Sequence, residues 1–276
     1  MDHFPFCHSE QSEGHRSKEP FPLAIDQIQD GVSSSSPSFR FYRHWIKDSD
    51  LVSFNVIAKQ TDLYIRAQRN LRNKALKSVL KHRASLETYI ERHPLFLTTL
   101  DSYQAEAEAP AIVKEMTQAS QVAGVGPMAA VAGAIAEAVG KDLLPFSAEV
   151  IVENGGDIFL KILKKRLAGI YAGQSPFTGK IALEIKPEET PLGICTSSAT
   201  TGHSLSLGSA NAVIALSPST PLADAVATAI GNMVKDAGDI PKAVGRAQNI
   251  AGLLGIVIIK DDKIGAWGKV KIVPLG

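Results

Sequence analysis

Cysteine is almost absent: Cys7 and Cys195 are the only two in 276 residues. That spacing excludes a disulfide framework and a paired-cysteine zinc site, and a reducing compartment is expected. An excess of one charge is lacking too. With 29 Lys and Arg against 28 Asp and Glu, the formal net charge is +1, so no global field draws the chain to nucleic acid, an anionic membrane or an acidic partner. No apolar run reaches the roughly 18 residues that a membrane-spanning helix needs. The chain opens with no basic stretch leading into an apolar one, and the segment before Cys7 holds Asp2, His3 and Pro5. That segment is too short and too polar for a lipoprotein signal, so the expected location is cytoplasmic. What is present is apolar bulk, 45% hydrophobic against 21% charged residues. This supports one large domain or two small ones and excludes a disordered chain.

Residues 1–38 carry His3, His8 and His15 among Ser, Glu, Gln and Pro, and end near the run Ser33 to Ser36. No apolar pattern repeats there, so a disordered N-terminal extension is expected, followed by a folded domain over 39–276. Apolar and polar residues alternate over 39–45, 51–58 and 62–67, as in half-buried antiparallel strands. Leu71, Ala75, Val79, Leu80, Leu86, Tyr89 and Ile90 have helical spacing within 70–92, and Pro94 stops that helix. Its other face is basic, with Arg69, Arg72, Lys74, Lys77, Lys81 and Arg83. A solvated face is the plainer meaning of such a run; no interleaved aromatics support a nucleic-acid contact. Further helices are expected over 109–122, 128–139 and 240–254 and from Pro221 onward. Strands are expected over 148–153, 157–163, 180–186, 193–197, 211–216, 256–260, 263–267 and 270–273. This order lacks regular βαβ alternation, so the expected class is α+β, with a division into two halves near 145–175 left open.

Four segments could carry chemistry. Gly124-Val-Gly126-Pro-Met-Ala129 fits the G-x-G-x-x-A variant of the dinucleotide fingerprint but follows a helix rather than a strand, against the requirement of that motif. It leaves two readings, a helix N-terminus that holds phosphate and a helix start packed tightly on its neighbours. Asn154-Gly155-Gly156-Asp157 reads either as a type I′ hairpin or as backbone bared to a ligand. The stretch from Thr196 to Ser206 packs seven hydroxyls and His203 into eleven residues. It could be a polar phosphate-binding loop with a proton carrier or a solvated Ser/Thr loop. It has no Gly-x-Ser-x-Gly elbow for a serine hydrolase. Asp224 and Thr228 stand four apart on one helix face among alanines. They offer hard oxygens to Mg2+, or merely an acid near a helix N-terminus and a threonine bonded back to its own helix.

These elements in this order resemble the ApbE family, the FAD-dependent transferases that attach FMN to proteins. The resemblance covers most of 40–273. Residues 126–140 are similar to the family's small-residue helix, 152–158 to its Asn-x-Gly-Gly-Asp-Ile strand pair, and Thr196-Ser197 through His203 to its Thr-Ser segment. Residues 223–229 are similar to its Ala-Asp-Ala-x-x-Thr-Ala signature. The resemblance implies a T-fold-like α+β architecture, with mainly antiparallel sheets packed with helices, in two interlocked subdomains with FAD between them. It implies Mg2+ on Asp224 and Thr228. It places ligand contacts on Gly126, Asn154, Gly155, Gly156, Asp157, Thr196, Ser197, Ser198 and Thr201, with His203 and Asp224 as the catalytic candidates. The metal would neutralise the FAD pyrophosphate while an acceptor threonine attacks the FMN phosphorus and expels AMP.

Two family features differ here. His203 is followed by Ser-Leu-Ser-Leu-Gly208 in place of Ile-x-Asp-Pro-x-Thr-Gly, and no lysine lies between Gly126 and Gly140. The opening Arg40-Phe-Tyr-Arg43 strand with the basic helix is similar to an uncharacterised cytoplasmic sister family of ApbE-like proteins. Two functions follow. One is a cleft for a flavin nucleotide or other phosphorylated ligand with Mg-dependent FMN or phosphoryl transfer to an acceptor protein. The other is a non-catalytic binding or accessory module for anaerobic sulfur or redox metabolism. Either allows a partner protein or a homo-oligomer, and neither involves nucleic acid or a membrane.

Overall fold

A computed structural model describes residues 50–199 and 208–275. The strand expected over 39–45 lies outside them. Alternation over 51–67 produces β1 (Val52–Ala58) and β2 (Thr61–Ala67), an antiparallel hairpin closing at Ala58 and Thr61. Helices α1 (Arg72–Arg92), α2 (Leu95–Thr98), α3 (Ala111–Ala123) and α4 (Val131–Leu143) follow, the last preceded by a 3-10 turn over Pro127–Ala130. Next come β3 (Val150–Asn154), β4 (Asp157–Lys161), β5 (Arg166–Gly169), β6 (Ile181–Ile185), β7 (Leu192–Ser197) and β8 (Ala212–Ser217). The chain ends with α5 (Thr220–Gly231), α6 (Ile240–Ala247), β9 (Gly255–Lys260), β10 (Lys263–Gly268) and β11 (Ile272–Pro274).

Eight strands form one sheet in the order β1-β2-β3-β4-β7-β8-β9-β10, and β11-β6-β5 form a second. Each pairing is antiparallel, as α+β patterning requires. The large sheet is built from two similar halves, β1-β2 and β3-β4 around helices α1 to α4, and β7-β8 and β9-β10 around α5 and α6. They join edge to edge where β4 pairs with β7. The division therefore falls over 162–191, later than the 145–175 expected from sequence, because β3 and β4 hydrogen-bond into the first half.

Period-two patterning sends the two faces of the sheet to different partners. From β8, Val213 and Ala215 join the helices in one core, while Ala212, Ile214 and Leu216 join Ile170, Leu183 and Ile185 of the small-sheet region in another. Such a strand, covered on both sides, reads as a continuous apolar run. Each large aliphatic so enclosed is worth roughly 1.5–3 kcal/mol. Strand β5 was not anticipated; it is a four-residue piece held by β6 alone. The helix expected over 240–254 stops at Ala247. Ile250 and Leu253 keep the apolar period by burial in turns, and Gly252 at φ 86° breaks the helical backbone.

The basic face of α1 is largely engaged within the molecule. Arg69 donates to the Phe146 carbonyl at 2.8 Å, and Lys74 sits 3.7 Å over the Phe146 ring. Lys81 pairs with Asp142 at 3.6 Å, and Arg83 reaches Thr61, Gln60 and Glu87. Among the described residues no single helix is long and apolar enough to cross a membrane.

Candidate functional site

The site is built where α4 and α5 pack antiparallel over β3, β4 and β7. Helix α5 starts cleanly because Ser219 caps it, accepting from the Leu222 N–H at 3.4 Å, and Pro221 stands in its first turn. One turn in, the half-buried Asp224 carboxylate accepts the Gly133 N–H at 2.8 Å and also that of Ala132. Asp224 thus caps α4, not its own helix. Gly133 makes this possible: a Cβ there would lie 2.6 Å from the Thr220 carbonyl oxygen and 2.9 Å from the Asp224 Cβ.

The β3–β4 turn is a two-residue hairpin, with Asn154 paired to Asp157 and Gly155 and Gly156 at φ 68° and 108°. Positive φ at both central positions is what a type I′ turn demands. The turn is fixed from both sides: Asn154 Nδ2 donates to the Ala132 carbonyl at 3.0 Å, and the Gly156 N–H to Glu153 Oε1 at 2.9 Å. Buried Asp157 accepts the Thr196 N–H at 3.2 Å. The structure therefore brings Asn154, Gly156, Asp157, Thr196 and Asp224 to one place, with Thr228 a turn further along the Asp224 face.

The electrostatics are unusual. Burial pushes the Asp157 carboxyl up to about 7, and the charge of Glu153 adds to this against the Thr196 N–H. Burial, and after it the Asp157 charge, lifts Asp224 well above the ordinary carboxylate range. Cys195, wholly enclosed between them, has its thiol raised by burial and then by both aspartates. The oxygens here, from Asp224, Asp157 and Thr228, are hard donors that fit Mg2+. No group of three His, Cys, Asp or Glu able to hold a metal occurs among the described residues. A cation would take further oxygens from its ligand, the usual arrangement where Mg2+ holds a phosphate.

Gly126 is placed differently. A Cβ on it would lie 2.0 Å from the Thr99 carbonyl, so its use here is close packing. Ser197 lies beside Gly231, whose added Cβ would meet its Oγ at 3.2 Å. Ser198 follows at the end of β7. Thr201 and His203 lie outside the described residues. A separate groove of about 640 Å3, lined by Tyr89, Arg92, His93 and Glu106, shares no residue with this cluster. Sequence reading missed Gly133, Gly193, Cys195 and Glu137. Glu137 carried a signal, as the single acid in the Ala- and Gly-rich stretch 128–139.

Comparison with known proteins places the family and the fold. The model of the family described as AbpE bacteria matches residues 43–252. A UPF0280 protein of Methanocaldococcus jannaschii is 41% identical over 221 residues, covering 78% of this chain and 90% of that protein. Among solved structures, the apo flavinyl transferase ApbE of Pseudomonas stutzeri superposes with a TM-score of 0.52 at 12% identity, over 79% of this chain and 94% of that one. An ApbE protein of Thermotoga maritima gives 0.50 at 13%, over 78% and 96%. At such identity these two structures establish a shared fold.

Proposed function

Because the chain belongs to the family described as AbpE bacteria, we propose that it binds a flavin nucleotide or related phosphorylated ligand with Mg2+ and transfers the FMN or phosphoryl group to an acceptor protein in the cytoplasm. The observation that carries this reading is Asp224, a carboxylate set against Asp157 whose described partners are backbone N–H groups alone. Asp224 and Thr228 would hold the cation. Asn154, Gly155, Gly156, Asp157, Thr196, Ser197, Ser198 and Thr201 would line the ligand, and His203 would carry the proton. Bound Mg2+ supplies charge neutralisation at the phosphate oxygens. The chain's own part is positioning. The Ala132 and Gly133 N–H groups at the start of α4 hold the Asp224 carboxylate in place.

Titration calorimetry with FAD, with and without Mg2+, followed by assay for AMP, tests the reading. Mg-dependent binding with AMP release supports it, and Asp224→Ala should abolish both. Unchanged turnover in that variant overturns the assignment. A second reading, a binding or accessory module without turnover, is favoured by the missing lysine and the missing Asp-Pro-x-Thr-Gly loop. It predicts FAD binding without AMP, or no FAD binding at all.

A further inference from the structure

We propose that Glu137 is a positioning residue for the Asp224 and Thr228 pair, acting through the first turn of α5; the inference rests on the reading of that pair as the cation site. Glu137 is 5% exposed, in a helix whose other buried residues are Gly, Ala, Ile, Val and Leu. A carboxylate so enclosed must be compensated. Its Oε2 accepts the Thr220 N–H at 2.5 Å, and its Oε1 meets Lys141 Nζ at 2.5 Å. Thr220 opens α5, where a backbone N–H has no partner within its own helix.

Three further contacts enclose the same residue. A Cβ on Gly133 would fall 2.6 Å from the Thr220 carbonyl oxygen, and a Cβ on Gly193 of β7 would fall 2.5 Å from the Thr220 Cα. Cys195 Sγ donates to the Thr220 carbonyl at 3.4 Å. Thr220 is wedged between a helix and a strand, and Glu137 holds the one N–H that fixes it along the helix axis. Asp224 lies one turn on, with its carboxylate returned to the N-terminus of α4. Each helix therefore gives a carboxylate to the start of the other. Without Glu137, the Thr220 N–H loses its partner, α5 is released along α4, and Asp224 and Thr228 shift together relative to Asp157.

The test uses the full chain with FAD present and Mn2+ as a spectroscopic stand-in for Mg2+, reading free Mn2+ by electron paramagnetic resonance against an FAD-only control, alongside melting temperature. Glu137→Ala should weaken Mn2+ binding by about tenfold or more. Glu137→Gln, whose carbonyl still accepts the Thr220 N–H, should stay near wild type. A merely structural ion pair with Lys141 predicts instead that Gln fails like Ala, and that result overturns the proposal. Where Glu137→Ala does not fold, Gly193→Ala presses on Thr220 from the opposite side without removing a polar group. It must weaken Mn2+ binding, and unchanged affinity overturns the inference. Asp224→Ala separates the two levels. If it abolishes binding while Glu137→Ala leaves binding unchanged, the positioning role fails and the cation reading stands. If Asp224→Ala binds as wild type, or wild type binds no Mn2+, both fall.

Discussion

Two acidic clusters among the described residues contrast: the Asp50 carboxyl is driven down in one, and those of Asp157 and Asp224 are driven up in the other. At the edge of the small sheet, Arg166 bonds Glu149 at 2.7 Å through Nε and Asp50 at 2.8 Å through Nη1. Hydrogen bonds from Arg166 and then Lys164 hold the Asp50 carboxyl far below its ordinary range. Between α4 and α5, Asp224 and Asp157 meet N–H groups and a thiol, and both are pushed up. The difference is positive charge, which Arg166 and Lys164 supply to the first cluster. A guanidinium completes the first cluster, so that cluster is structural. In the second, the described partners of Asp157 and Asp224 are N–H groups and a thiol, and it stands among the residues that the family resemblance assigns to ligand binding.

Breaking the completed cluster should cost most. Arg166→Met leaves Glu149, 3% exposed, without its cation, and about 3–5 kcal/mol of stability should be lost in denaturant unfolding. Completing the second cluster should have the next largest effect. Mg2+ at a hundredfold excess over its Kd should stabilise the protein by about 2.7 kcal/mol, seen as a raised Tm, and Asp224→Asn should remove that response.

The pH dependence sharpens the contrast, because the two clusters have opposite signs. Burial raises the Asp157 carboxyl to about 7, from an ordinary value of 3.8. Its contribution to stability is full below about pH 4 and is lost as pH rises through 7, at about 1 kcal/mol per pH unit. Asp50 is lowered, so its contribution is present above the ordinary carboxylate range and is lost as pH falls below it. Urea midpoints measured across pH should show both limbs, with Asp157→Asn flattening the neutral limb and Asp50→Asn the acid limb. The smallest effect concerns the hairpin. Gly156→Ala meets only the Thr196 carbonyl at 3.9 Å, so its cost is the φ of 108°, about 1 kcal/mol by thermal unfolding.

Local chemistry was readable in advance. Alternation gave β1 and β2, the period of 3.6 gave α1 up to Pro94, and Asn154-Gly-Gly-Asp157 gave its turn, since each depends on neighbours within a few residues. Strand β5 was not, because its four residues have too little alternation to register and exist as a strand only through β6. The fingerprint-like Gly126 was ambiguous for a related reason. A glycine signals close approach without naming what approaches, and here it is the Thr99 backbone.

By itself the sequence determined the α+β class, most element positions, and the residue types of the candidate site, because propensity and hydrophobic period are properties of short windows. Tertiary structure decided what those residues do to one another. Asp224 accepts from a helix N-terminal N–H 91 residues earlier, and Glu137 from one 83 residues later. Carboxyl groups that look ordinary in the chain shift their protonation only when packing removes water and sets like charges together, a condition that no local pattern encodes.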